Sequence, residues 1–204
     1  MASKVSGVID NDKGFKNLLK TNKLLRDSSA AVGILSDAPS EGKMNMARLG
    51  AIHEFGVTIP VTQKMKGWFL YNFGVALKKA VITIPARPFM AVTFDRIREK
   101  VFQKMKDSLV RLQDAGTQKK EINEAVVRRE LGLLGEYAVT EVKKTFETGD
   151  FEPLSDLTIE NRKKGKGTQS PKPLLDTGRL RASINQRVDL NKKGDGSFKT
   201  EAVE

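Results

Sequence analysis

Apolar positions recur at helical spacing in GFKNLLKTNKLL, where Phe15, Leu18, Leu19 and Leu25 fall on one side, so the pattern predicts a short amphipathic helix from Gly14 to Arg26. The run AAVGIL that follows is continuous, apolar and of strand length, and Pro39 and Gly42 in SDAPSEG mark a loop after it. From Met44, NMARLGAIHEFG predicts a helix of about three turns, with Met44, Ala47, Ala51 and Phe55 on one stripe and Gly56 as its stop. Phe55 is expected to anchor that helix by burying its ring. VTIPV alternates at Val57, Ile59 and Val61, with Pro60 suited to an edge strand, and AVITIPARPF is a second strand-like run.

Beyond Phe89 the period lengthens. Phe94, Ile97, Val101, Met105 and Leu112 predict a long amphipathic helix, which DAGTQKK breaks. Val127, Leu131, Leu134, Ala138 and Val142 predict a second, despite Gly132 and Gly135, each costing about 1 kcal/mol relative to alanine. Small residues at that spacing suit the close approach of another element. From 149 to 173 the chain is polar, basic and punctuated by Gly and Pro, which reads as an exposed basic loop. LLDTGRLRASI then predicts a short helix capped by Asp176 or Thr177, QRVDL a weak strand, and 191–204 a flexible tail. At 204 residues, one domain over 1–190 suffices.

Charge narrows the choice of partner. The net charge is +11, and the excess is concentrated in two zones. One is 63–118. The other is 160–187, where Arg162, Lys163, Lys164, Lys166, Lys172, Arg179, Arg181 and Arg187 face only Glu160 and Asp176. A polyanion or an acidic protein surface is the first partner to consider. The absence of cysteine removes disulfides and thiolate chemistry together. The longest run without a charge, Gly67 to Leu77, falls far short of the roughly 18 to 20 residues a spanning helix needs, and the N-terminus has no apolar leader segment, so a soluble protein without a membrane partner is expected.

Candidate chemistry is sparse. His53-Glu54 resembles the start of the zinc-protease motif H-E-x-x-H, but Val57 occupies the second histidine position and the chain has no other histidine. Adjacent helical residues point about 100° apart, so Glu54 is poorly placed to orient its own neighbour as a general base. His53, Glu54, Phe55 and Gly56 therefore read as a structural motif. KKGKGTQS lacks the first glycine of a phosphate-binding loop, and Asp150, Glu152 and Asp156 form no convincing pair. No catalytic, cofactor or metal residue is assigned, and the chain is not expected to be an enzyme.

Two stretches suit contacts. KMKGWFLYNFGVALKK sets Trp68, Phe69, Tyr71 and Phe73 between basic flanks, suited to stacking on bases, to a membrane surface, or to a hairpin or loop buried against the body or a neighbouring subunit. Arg87, between Pro85 and Pro88, is held on extended backbone, ready to fork onto a partner's carboxylate or phosphate or to close an intramolecular salt bridge.

In combination these parts are more specific. Ala51-Ile52-His53-Glu54-Phe55-Gly56, then Ile84-Pro85-Ala86-Arg87-Pro88-Phe89 opening a long helix, then Pro153, Leu154 and Thr158, and finally Pro173, Leu174, Asp176, Thr177, Gly178, Leu180 and Ser183, resemble in order the virion-morphogenesis, or tail-completion and neck, proteins of tailed bacteriophages. The resemblance spans 30–190. It implies an α+β fold, with a small antiparallel sheet packed against two long amphipathic helices plus shorter ones. It also implies a non-catalytic virion protein that forms a ring at the head-tail junction, joining or completing the tail and letting DNA pass.

On that reading the chain resides in the virion, and in the host cytoplasm during assembly. Its partners are its own copies in a closed ring and neighbouring neck, connector or tail-tube proteins. Arg87, Pro88, Phe89, Trp68, Phe69 and Tyr71 are the expected subunit or partner interface. Arg162, Lys163, Lys164, Lys166 and Lys172 are expected to face passing DNA without sequence specificity, or acidic protein. The alternative is a free, sequence-independent DNA-binding protein acting through the same basic loops.

Overall fold

The computed structural model describes residues 13–35, 40–41, 44–117, 123–164 and 170–190. The fold is α+β. In chain order the elements are α1 (Lys13–Arg26), β1 (Ser29–Ile34), β2 (Ser40–Glu41), β3 (Met44–Asn45), α2 (Met46–Phe55), β4 (Val57–Pro60), α3 (Gln63–Phe73), β5 (Val81–Ile84), α4 (Phe89–Thr117), α5 (Glu124–Thr148), α6 (Asp156–Lys164), α7 (Arg179–Ala182) and β6 (Ile184–Asp189). Among the described residues the sheet is divided into two-stranded pieces, β1 with β6, β2 with β3 and β4 with β5.

The chain divides into two compact units. The first gathers the described residues of Met1–Ala31, Glu99–Gly135 and Arg187–Glu204; the second gathers Val32–Arg98 and Glu136–Gln186. The expected tail, 191–204, lies outside the described residues. The stretch 149–173, read as a loop, contains α6, whose first turn carries Asp156 in the place that complements the helix dipole.

In the first unit Thr21, Ser108, Leu112 and Val127 are buried. Arg111 donates from Nη2 to Glu130 Oε2 at 2.9 Å and to Ser108 Oγ at 2.8 Å. The Arg111 hydrogen bond is the main cause holding the Glu130 carboxyl below its usual pKa. Gly132, expected to admit a close neighbour, faces open space.

The second unit is built around Phe89, Val139, Val142, Phe146, Leu174, Leu180 and Ile184, with Val32, Ile34, Leu49 and Met90 packed against them. Phe89 and Phe146 meet ring to ring, centroids 4.8 Å apart. Beside them the hydroxyls of Thr93 and Thr145 are 2.6 Å apart, and Arg96 Nη2 donates to Thr145 Oγ1 at 3.1 Å and to Glu141 Oε2 at 3.0 Å. A buried hydroxyl costs stability unless it is paired, and this chain of contacts pairs both.

The stripe expected on α2 is rotated. Met46 and Gly50 are the buried positions, and a side chain at Gly50 would collide with Ile34. Phe55, expected to be the anchor, is 79% exposed. A glycine can bring a helix against its neighbour closer than an aromatic can, and here close approach prevails.

Candidate functional site

The His53-Glu54 pair sits where four distant segments meet. Helix α2 ends at Gly56, whose φ of 71° and ψ of 169° belong to a region open essentially to glycine. A Cβ there would stand 2.8 Å from Ala86 N and 2.9 Å from Ile84 O. The missing side chain is what lets β4 start directly against β5. The two strands then run antiparallel, with Val57 opposite Ile84 and Ile59 opposite Ile82.

Glu54 reaches from α2 to the start of α4. Its Oε2 accepts from Met90 N at 2.9 Å and its Oε1 from Ala91 N at 2.8 Å. These are backbone donors that a helix start leaves unpaired, and an anionic acceptor there also complements the dipole. The carboxylate is a helix cap supplied from a different element. His53 contributes its backbone carbonyl, which accepts from Arg87 N at 2.6 Å.

Arg87 points inward and is 4% exposed. Its Nε donates to Glu152 O at 2.9 Å and its Nη2 to Pro153 O at 3.2 Å. Burial lowers its pKa, and Glu152 opposes that shift. Arg162, on α6, uses one nitrogen in the same way: Nη1 donates to Ser170 O at 3.0 Å, Lys172 O at 2.8 Å and Leu175 O at 2.8 Å. Asp176 Oδ1 lies 3.8 Å from its Nε. Two guanidinium forks thus hold the carbonyls of 152–153 and 170–175, segments with little regular structure to satisfy them.

Beside Arg162 lies a cleft of about 180 Å³, lined also by Leu49, His53, Leu174, Asp176 and Thr177. Burial first, and then the charges of Arg87 and Arg162, push the His53 pKa down to about 4. Its Nδ1 is buried without a hydrogen-bond partner among the described residues. An imidazole that is neutral at pH 7 and so weakly basic is a poor general base. Among the described residues, no group of three or more His, Asp or Glu side chains is placed as metal ligands would be.

Several expectations for the site need correction. Arg87 and Phe89, expected at a contact surface, are buried, the first as a fork for backbone carbonyls and the second in the core. Pro88 is half-buried between them. Arg162, expected to meet DNA or acidic protein, is occupied inside the fold, and Phe55 is outside. Lys163 is exposed; Lys172 is exposed and donates to Glu147 O at 2.8 Å. Lys164 ends α6, and Lys166 lies outside the described residues. Of the two expected caps of α7, Thr177 is the one engaged: its Oγ1 accepts from Arg179 N at 3.4 Å, although Gly178 holds the N-cap position itself.

The aromatic stretch forms a helix, α3, in place of the expected hairpin or loop, and none of its residues is buried. Trp68 and Tyr71 are exposed and Phe69 is half-buried. The acceptors of the Arg87 fork were not legible beforehand, because they are backbone carbonyls and leave no side-chain signature.

Comparison with protein-family models, with curated proteins and with solved structures finds no match to this chain.

Proposed function

We propose that this chain is a structural component of a phage virion at the head-tail junction, a neck or tail-completion protein that works as a ring and without catalysis. One observation supports the reading most. The short motifs on which the resemblance rests, 51–56, 84–89, 153–158 and 173–183, all fall within one compact unit. There Glu54 ties the first motif to α4 at Met90 and Ala91, and Arg87 ties the second to the third at Pro153. Glu54 and Arg87 serve as fasteners, which suits a protein whose work is done by shape at interfaces.

In a closed ring one surface of each copy meets a different surface of the next, so a unit held rigid by these ties favours a fixed rotation between subunits. The test is location and assembly. Antibody against this chain should label the head-tail junction of purified particles, and the isolated protein should sediment as a defined oligomer. A chain absent from mature particles that stays monomeric and shifts duplex DNA with a steep salt dependence overturns the reading in favour of a free DNA-binding protein.

A further inference from the structure

Helix α3 is well formed locally and unsupported from outside. Thr62 Oγ1 accepts from Met65 N at 3.2 Å at its start, and Gly74, left-handed at φ 66°, closes its end with a bond from its N to Leu70 O at 2.9 Å. The Val61 N to Ala80 O bond at 2.8 Å extends the β4-β5 ladder to its base. Trp68 stands edge-on to Phe69 and Phe73, with centroids 5.2 and 5.1 Å away. Yet Trp68 is 53% exposed and Tyr71 90% exposed, and Leu70 is exposed too. Lys64, Gly67, Trp68 and Tyr71 are spaced i, i+3, i+4 and i+7, so they share one face. Large apolar side chains gathered outward on a capped short helix mark an interaction surface.

Charge indicates what covers it. Between Glu54 and Asp95 the sequence holds no acidic residue, while Lys64, Lys66, Lys78 and Lys79 flank the aromatic cluster. We infer that the outward face of α3 docks into an apolar groove with an acidic rim on a different protein, Trp68 and Tyr71 filling the groove and the lysines meeting its carboxylates. This rests on the reading of the chain as an assembly component and names the chemistry of one neighbour.

Other occupants fit less well. A second copy pairing through the same face would set Lys64 and Lys66 against their own counterparts. A bilayer favours a segregated apolar face, whereas Lys64 shares the face of Trp68 and Tyr71. Duplex DNA presents no base faces to aromatics, and both phenylalanine rings already pack on Trp68.

Trp68 is the only tryptophan in the chain, so its fluorescence reports this surface alone. The full-length protein is titrated with a helical peptide patterned in Glu and Leu, with its Lys and Leu twin, with phosphatidylglycerol vesicles and with duplex DNA, and is diluted alone over a wide concentration range. The inference expects a blue shift with the Glu-patterned peptide only. Tyr71→Ala should weaken that binding about tenfold, and Lys64→Glu with Lys66→Glu should abolish it, with melting unchanged in both. No shift with that peptide, an equal shift with its Lys twin, or a stronger one with vesicles, with DNA or on self-association overturns it. Sedimentation of the same samples separates the two readings: a ring that ignores the peptide defeats only the docking face, and a monomer that binds it defeats only the ring.

Discussion

Two regions of the second unit use similar residues for opposite ends. At the junction of α2, β5 and α4, a histidine, a glutamate, two arginines and a phenylalanine point inward, and the glutamate and both arginines bond backbone atoms. In the insert between β4 and β5, aromatics and lysines point outward, and no residue of α3 is buried. Residue type does not separate the two. What does is whether nearby backbone needs a donor or acceptor: irregular segments at 152–153 and 170–175 need them, whereas α3 satisfies its own.

The sharpest break in that comparison pairs two phenylalanines. Phe89→Ala should destabilise by about 3 to 5 kcal/mol, since its fully buried ring leaves a cavity against Phe146, whereas Phe55→Ala should stay within about 0.5 kcal/mol. Denaturant midpoints at constant m-value measure both. Equal losses would mean that Phe55 is covered in solution and the contrast is misdrawn.

Arg87→Ala comes next, at about 3 kcal/mol, because the carbonyls of Glu152 and Pro153 lose their donors together. Arg87→Lys should recover only part, since a point charge cannot serve both. Full rescue by lysine would show that charge alone matters at the junction.

His53 gives the junction a pH dependence with a definite sign. Its folded pKa of about 4 lies below the usual 6.5, so the unfolded chain takes up a proton first as pH falls. Stability is complete above pH 6.5, declines between 6.5 and 4, and levels off below. Arg87 and Arg162 oppose the proton, Asp176 lies in the same cleft, and the loss is at most about 3 kcal/mol before solvent screening reduces it. His53→Gln should flatten that part of the melting profile. An unchanged slope in the variant would place the titration elsewhere.

Much of the fold was legible because period reports burial. The long runs at helical spacing became α4 and α5, although on α4 only Ile97 and Leu112 of the expected stripe are buried while Phe94 and Met105 are exposed, and Val57 and Ile59 joined Ile82 and Ile84 on one half-buried face of the β4-β5 ribbon. The α2 stripe failed because Gly50 carries no hydrophobic signal, although its lack of a side chain sets the packing. Helix α3 was missed because its aromatics, Gly67 and Asn72 blur the helical period. Of the site, that His53-Glu54 does not open a zinc-protease motif could be read from the missing second histidine; that Glu54 caps a helix 36 residues away could not, because the two lie on separate elements and the contact leaves no local pattern in the sequence.

The smallest effect tests the outward region. Tyr71→Ser should change stability by no more than about 0.5 kcal/mol, because Tyr71 is 90% exposed, and Trp68→Ser by about 1 kcal/mol, because roughly half of its surface is covered. Trp68 is the more demanding case, since its ring also packs edge-on to Phe69 and Phe73 at a worth of about 0.5 to 1.5 kcal/mol per pair when buried, which exposure here reduces. Tyr71 makes no such ring contact and should be the quieter of the two. A loss above about 2 kcal/mol for Tyr71→Ser, measured in the isolated protein, would mean that the helix is already covered, either by this chain or by another copy. A second copy would make that loss depend on protein concentration; a contact within one chain would not.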